Sequence, residues 1–252
     1  WLPTPDQRFA ARWALVPVVK AEIMRVAAEL PLAFAKKPAG MELVAVLGWR
    51  HGESVLVGPD HRWRGRYVPA MVRAYPFKLG AVEGRQELVL AVDESSGLVG
   101  TWKDGEPFFD EQGKPVKAIE TLARFIGQME QSRRQTEKAV QTLAAHDIFS
   151  PLPLKAPDEP VAGGAPADAL NLWTVDEAKL SKLDDTAFVS LRPHGALALA
   201  YAQLLSLQQF DHLVELARTK VAPPAARPAV STAPESAFMA PGLTADDGLL
   251  RF

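Results

Sequence analysis

Residues 117–146, KAIETLARFIGQMEQSRRQTEKAVQTLAAH, decide the class of fold. Ile119, Leu122, Ile126, Met129, Val140 and Leu143 recur at three- and four-residue steps, which places them on one face of a helix. At 1.5 Å per residue such a helix is roughly 40 Å long. Arg133 and Thr136 interrupt the apolar stripe at its middle. The interruption reads as a kink, a solvent gap or a partner groove.

Upstream of this helix, between 32 and 110, the apolar period changes to two. Leu32–Ala35, Glu42–Gly48, Val55–Val57, Lys78–Val82, Glu87–Val92 and Leu98–Trp102 are short runs split by turn signals such as His51-Gly52, Gly58-Pro59 and Ser96-Gly97. Consecutive strands with such short joints predict an antiparallel sheet. Val18 to Leu30 reads as a helix stopped by Pro31, and Tyr67 to Tyr75 supplies a short one. Residues 1–16, with Trp1, Phe9 and Trp13, read as an arm laid over the core.

Downstream, 151–169 (PLPLKAPDEPVAGGAPADA) is a Pro/Gly-rich connector. A strand at Leu170–Thr174 follows, then a helix opened by Thr174 or Asp176. Thr174 and Glu177 have the spacing of a capping box. A long apolar helix from about His194 to Leu207 and a shorter one through Leu213 and Leu216 complete this part. Residues 221–252 are Pro/Ala-rich, too poor in apolar surface to fold alone, and end in Gly248-Leu249-Leu250-Arg251-Phe252. The expected protein is α+β: an antiparallel sheet packed against a long helix over 1–150, the connector 151–169, a smaller mostly helical portion over 170–220, and the tail 221–252.

Composition excludes several functions. The chain has 252 residues, 48% hydrophobic and 23% charged, ordinary for a globular protein. Its 28 Lys+Arg against 30 Asp+Glu give a net charge of −2, so nothing draws it to nucleic acid or anionic membrane. With no Cys, it has no disulfides, thiolate metal sites or Cys nucleophile. The longest uncharged apolar run, Ala196 to Leu207, is too short to span a bilayer. No signal-peptide pattern follows Trp1, and the expectation is a cytoplasmic protein, with removal of a leader ahead of Trp1 left open. Dinucleotide and P-loop fingerprints, HExxH and the GxSxG elbow are missing, and no cofactor is expected.

Four weaker groupings carry chemistry. His51, Glu53 and His61, with Asp60, could hold a zinc or iron ion if a hairpin brought them together; a solvent-exposed polar hairpin tip is the simpler reading, and no metal is expected. Trp63 to Phe77 (WRGRYVPAMVRAYPF) interleaves Arg64, Arg66 and Arg73 with rings. Guanidinium forks grip carboxylate or phosphate and rings stack on planar groups or sugars, so this segment suits an anionic, ring-containing or glycan ligand. Alternatively its rings are core and its arginines pair with Asp93, Glu94, Asp110 or Glu111. Gly105 to Pro115 reads as a hairpin anchored by Phe108 and Phe109, with Asp110 and Glu111 facing opposite ways. The histidines His146, His194 and His212 have no fixed spacing to a Ser, and His146 suits the negative end of the long helix.

The order of these pieces resembles the bacterial SapC family, named from a surface-layer-associated gene cluster. The resemblance runs from about residue 16 to 218 through VPVVKAEIMRVAAELPLAFAK, ELVAVLGWRHGESVLVG, WRGRYVPAMVRAYPF, LVLAVDESSGL, GEPFFDEQGKP and LRPHGALALAYAQLLSL. Ala74 and Ser54 stand where members often carry Arg and Asn. The resemblance implies a surface-layer or outer-membrane accessory protein whose relatives accompany nutrient receptors, cupin-like oxygenases and halogenase-like flavoproteins; it carries over no catalytic residues. The reading is therefore a non-catalytic binding or accessory protein with a protein partner. Its ligand surface centres on Trp49, Trp63, Tyr67, Arg73, Tyr75 and Phe77. A metal-assisted enzyme, or a scaffold docking a partner through the long helix and tail, stays open.

Overall fold

The computed structural model describes residues 1–2, 6–81, 88–102, 105–154 and 170–220. The strands are β1 (Leu15–Pro17), β2 (Leu32–Lys37), β3 (Gly40–Val46), β4 (Phe77–Ala81), β5 (Leu88–Val92), β6 (Phe149–Leu152) and β7 (Leu172–Val175). The helices are α1 (Ile23–Ala27), α2 (Ala70–Ala74), α3 (Lys117–Ala144), α4 (Glu177–Ser181), α5 (Asp185–Ser190), α6 (Ala196–Ser206) and α7 (Gln209–Lys220). Five strands form one antiparallel sheet in the order β1-β3-β2-β7-β6, and β4 and β5 make a separate hairpin. The fold is α+β, with a long helix against the sheet and short helices toward the C-terminus.

β2 and β3 form the hairpin at the centre of the sheet, paired from Leu32↔Ala45 to Lys37↔Gly40. Gly40 closes the turn at φ +125°, a conformation that L side chains rarely adopt. Leu32, Ala33 and Phe34 are inaccessible to solvent, as befits a strand covered on both faces. β6 and β7 join this sheet from beyond the long helix. Pro151, expected to begin the connector, lies on the outermost strand β6, where a missing N–H breaks no ladder. Positions 155–169 of that connector and the tail 221–252, including its apolar end, lie outside the described residues.

Several expected elements differ. Val55–Val57 is buried but bends and is not a strand of the sheet; Val57 makes only an isolated bridge to Trp63. Its surroundings bond to separate neighbours: Ser54 N–H to Ala11 O, Val55 N–H to Leu47 O, Arg64 N–H to Leu56 O. Leu98–Trp102 is not a strand either; Leu98 O accepts one bond from Leu2 N–H. The expected helix Val18–Leu30 is reduced to a 3-10 turn at Lys20–Glu22 followed by α1, because the residues before it are drawn into β1. The cap of α4 is Asp176, which accepts from Lys179 N–H, and Thr174 stays in β7. α3 ends at Ala144, just before Asp147 takes φ 50°.

The interruption in the long helix has a definite occupant. The N-terminal half of α3 (Ile119, Leu122, Phe125, Ile126) packs with Val19, Ala70, Ala74 and Phe77 in one hydrophobic cluster. The C-terminal half (Ala139, Val140, Leu143) belongs to the main core under the sheet. Between them Ser132 and Thr136 are buried, and each accepts a backbone bond from the turn before α1. Ala21 N–H donates to Ser132 Oγ (2.9 Å) and Lys20 N–H to Thr136 Oγ1 (2.6 Å). Val19 N–H, one residue earlier, reaches Glu22 Oε1 at 3.4 Å. The first N–H groups of a helical segment have no partner within it, and α3 supplies two of the acceptors. Arg133 turns outward to Glu130 and Glu137.

α6 repeats the device against the sheet. β2 and β7 pair at Phe34↔Trp173 and Ala35↔Leu172, a register that would next set Leu32 opposite Val175. There the fully buried Gln203 takes over. Its Oε1 accepts from Val175 N–H (3.0 Å), and its Nε2 donates to Leu32 O (3.1 Å) and Thr174 Oγ1 (3.0 Å). Ser206 Oγ accepts from Leu32 N–H (2.8 Å). A side-chain amide thus extends the ladder by one rung and pins α6 to it.

Removing these acceptors orphans buried N–H groups, at a cost of about 1–3 kcal/mol each. Thr136→Val and Ser132→Ala are each expected to lower unfolding stability in urea by that amount. Arg133→Ala loses less than about 1 kcal/mol despite its ion pairs, because they are exposed. A Thr136→Val protein as stable as wild type would contradict this account of the helix.

Candidate functional site

The segment 61–77 is held from below by two acids on adjoining turns. Glu22 precedes α1 and Glu29 follows it; at seven residues apart they lie on one side of the helical segment. Glu29 Oε2 accepts from Arg66 N–H (2.8 Å) and Tyr67 N–H (3.0 Å). Glu22, with no solvent exposure, accepts at Oε2 from the Tyr67 hydroxyl (2.9 Å) and from Ala70 N–H (2.8 Å) at the start of α2. Arg73 Nη2 donates to the Tyr67 oxygen (3.2 Å), and its guanidinium lies over the rings of Tyr67 (5.6 Å) and Phe125 (5.1 Å).

Burial pushes the Glu22 carboxyl above the usual glutamate range and outweighs the bonds from Ala70, Tyr67 and Val19 and the nearby Arg73 charge, which favour the anion. Burial, reinforced by the charge on Glu22, likewise drives the Tyr67 phenol upward, so it serves as a proton donor.

The other rings of the segment go elsewhere. Trp63 Nε1 donates to Tyr67 O (2.9 Å), closing the loop, and Trp63 N–H reaches Gln7 Oε1 in the N-terminal arm (3.0 Å). Tyr75 stacks on Phe9 at 4.3 Å, with Trp13 edge-on to it at 5.5 Å, and its hydroxyl donates to Asp93 Oδ2 (3.2 Å). These three rings are half-buried. Phe77 is buried between Trp1 and Phe108, and Trp49 is buried against Phe210 of α7. Of the six expected ligand residues, Trp63, Tyr67 and Arg73 share one bonded group. Tyr75 joins a second with Phe9 and Trp13, while Trp49 and Phe77 sit in separate parts of the interior.

The arginines divide too. Arg64 Nη1 donates to Leu216 O (2.7 Å) and Val55 O (3.2 Å), and its Nη2 donates to Thr219 Oγ1. It therefore caps the end of α7 and ties it to the loop. Arg66 is exposed.

The candidate metal residues are spread out. His51 and His61 are exposed in separate turns, Glu53 is half-buried, and Asp60 Oδ1 accepts from Arg62 N–H in its own loop. Among the described residues no three His, Asp or Glu side chains are grouped to hold a metal. Asp110 Oδ1 accepts from Gln112 and Lys114 N–H and forms the expected hairpin turn. One pairing had no sequence signal: Ser190 Oγ lies 2.7 Å from His146 Nε2. Ser190 Oγ also lies 2.6 Å from Ala187 O, one turn back on its own helix.

A sequence model of SapC proteins matches residues 1–213. The chain belongs to the SapC family. No curated protein and no solved structure matches it. The SapC match takes in the N-terminal arm, whose Gln7, Phe9 and Trp13 contact the 61–77 loop. The arm's rings were read in the sequence only as an arm over the core, and Glu22 and Glu29 were not singled out; the seven-residue spacing of the two acids was the signal available. In this SapC chain no helix among the described residues is long and apolar enough to cross a membrane.

Because the folded Glu22 carboxyl titrates above its unfolded value, its stabilising contribution is full below the unfolded pKa of about 4.3 and is lost as pH rises through the folded one. Glu22→Gln is expected to remove this slope. Urea midpoints from pH 4 to 8 should show wild type losing ground to the variant as pH rises; a gap independent of pH would contradict the assignment.

Proposed function

We propose that this SapC-family chain is a non-catalytic accessory protein serving surface-layer, secretion or outer-membrane uptake functions. It binds a protein partner through the face built by segment 63–77 and the N-terminal arm. The observation that carries this reading is the half-buried ring group of Tyr75, Phe9 and Trp13, its phenol oriented by the half-buried Asp93. Rigid amphipathic rings with a polar tip are what protein interfaces use as anchors.

The groups best suited to chemistry support the same reading, because they are already engaged. The Glu22 oxygens take three donors, Tyr67 is bonded to Glu22, and Arg73 lies on two rings. This network, with Trp63 and Tyr67, holds α2 and the loop in place. Trp49 and Phe77 are buried in separate parts of the interior. An anionic or ring-bearing group on the partner suits the exposed Arg66.

The test compares wild type with Trp13→Ala/Tyr75→Ala, both shown to be folded by circular dichroism, after purification from the native host. Native mass spectrometry should find a protein partner on wild type, retained by the control Arg134→Ala and reduced at least tenfold on the double variant. A folded double variant with full partner occupancy would overturn the proposed face.

A further inference from the structure

The junction of the turn before α1, α2 and α3 leaves a small cavity of about 10 Å³ that is partly open to solvent. Its walls include Val19, Ala21, Ala70, Phe125, Gln128 and Ser132. Most of this lining is apolar, but two polar side chains interrupt it. Gln128 Oε1 is buried and has no hydrogen-bond partner. Ser132 Oγ spends a lone pair on Ala21 N–H, which leaves its own proton to donate.

We propose that one ordered water occupies this cavity, accepting from the Ser132 hydroxyl and donating to Gln128 Oε1. The volume admits a single water, and the site offers the two polar partners such a water needs. A buried carbonyl left bare is costly, and a bridging water recovers most of a direct hydrogen bond. The paired polar groups favour water over an apolar occupant. With the water in place, polar contacts run without a break along α3 from Thr136 through Ser132 to Gln128, between the two apolar clusters that the helix serves. This site meets segment 63–77 at Ala70 alone and holds whether or not the proposed partner face is right.

The test is a crystal structure of wild type at about 1.5 Å resolution or better, with Gln128→Leu solved alongside and both proteins checked for folding. Wild type should show a water within hydrogen-bond distance of Gln128 Oε1 and Ser132 Oγ. In solution, its Ala21 amide should show a cross-peak to a long-lived water. Gln128→Leu, which removes the acceptor, should lose both signals while keeping the Ala21–Ser132 bond. The proposal fails if the wild-type cavity is empty, if the Gln128 amide turns to solvent and the cavity closes, or if the water persists unchanged in Gln128→Leu.

Discussion

Three consecutive backbone N–H groups, those of Val19, Lys20 and Ala21, constrain the structure around them. They begin a helical segment, so no backbone carbonyl inside that segment can accept from them, and they lie where water does not reach easily. Thr136 and Ser132 meet two of them and Glu22 the third. Because both hydroxyls sit at mid-length on α3, the contact fixes that helix in translation and rotation relative to the edge of the sheet. The same turn presents Glu22 to Tyr67 and Ala70, so α2 and the ring-bearing loop are placed by it as well. A single capping problem thus positions the long helix and the candidate site together.

Gln203 and Ser206 show the same solution between α6 and the sheet. There the unpaired groups belong to strands, and a side-chain amide replaces a rung of the ladder. In both places a helix with an apolar inner face carries a pair of polar residues, three or four apart, that point inward to backbone. Such pairs have a steep energy asymmetry. Each bond contributes little net stability, but leaving either partner bare in the interior is expensive. That asymmetry specifies one docking geometry over slid or rotated alternatives.

Much of the architecture was legible in the sequence, because period alone distinguishes a helix from a strand. The stripe from Ile119 to Leu143 and the alternating runs of β2 to β5 gave α+β and the sheet-on-helix arrangement. The unread part depended on partners distant in sequence. Thr136 looked like a gap in an apolar face, since no local pattern shows that Lys20 will meet it 116 residues away. Likewise Pro151 looked like linker, though an edge strand tolerates it. The candidate site was read as one patch because its residues are neighbours along the chain. Arg73 and Tyr75, two positions apart, leave the backbone in different directions: one toward Glu22 and Phe125, the other toward Phe9 and Trp13. Membership of the SapC family agrees with the order of the motifs and leaves the partner to be found through the face they build.

Native-state hydrogen exchange at Lys20 and Ala21 tests the central claim most directly. If Thr136 and Ser132 hold these amides as described, both should exchange only with the global unfolding that releases α3, at rates matching the slowest amides of β2 and β3. Exchange of Lys20 and Ala21 through a local opening, while α3 and the sheet remain protected, would show that the cap is dispensable and would contradict the account.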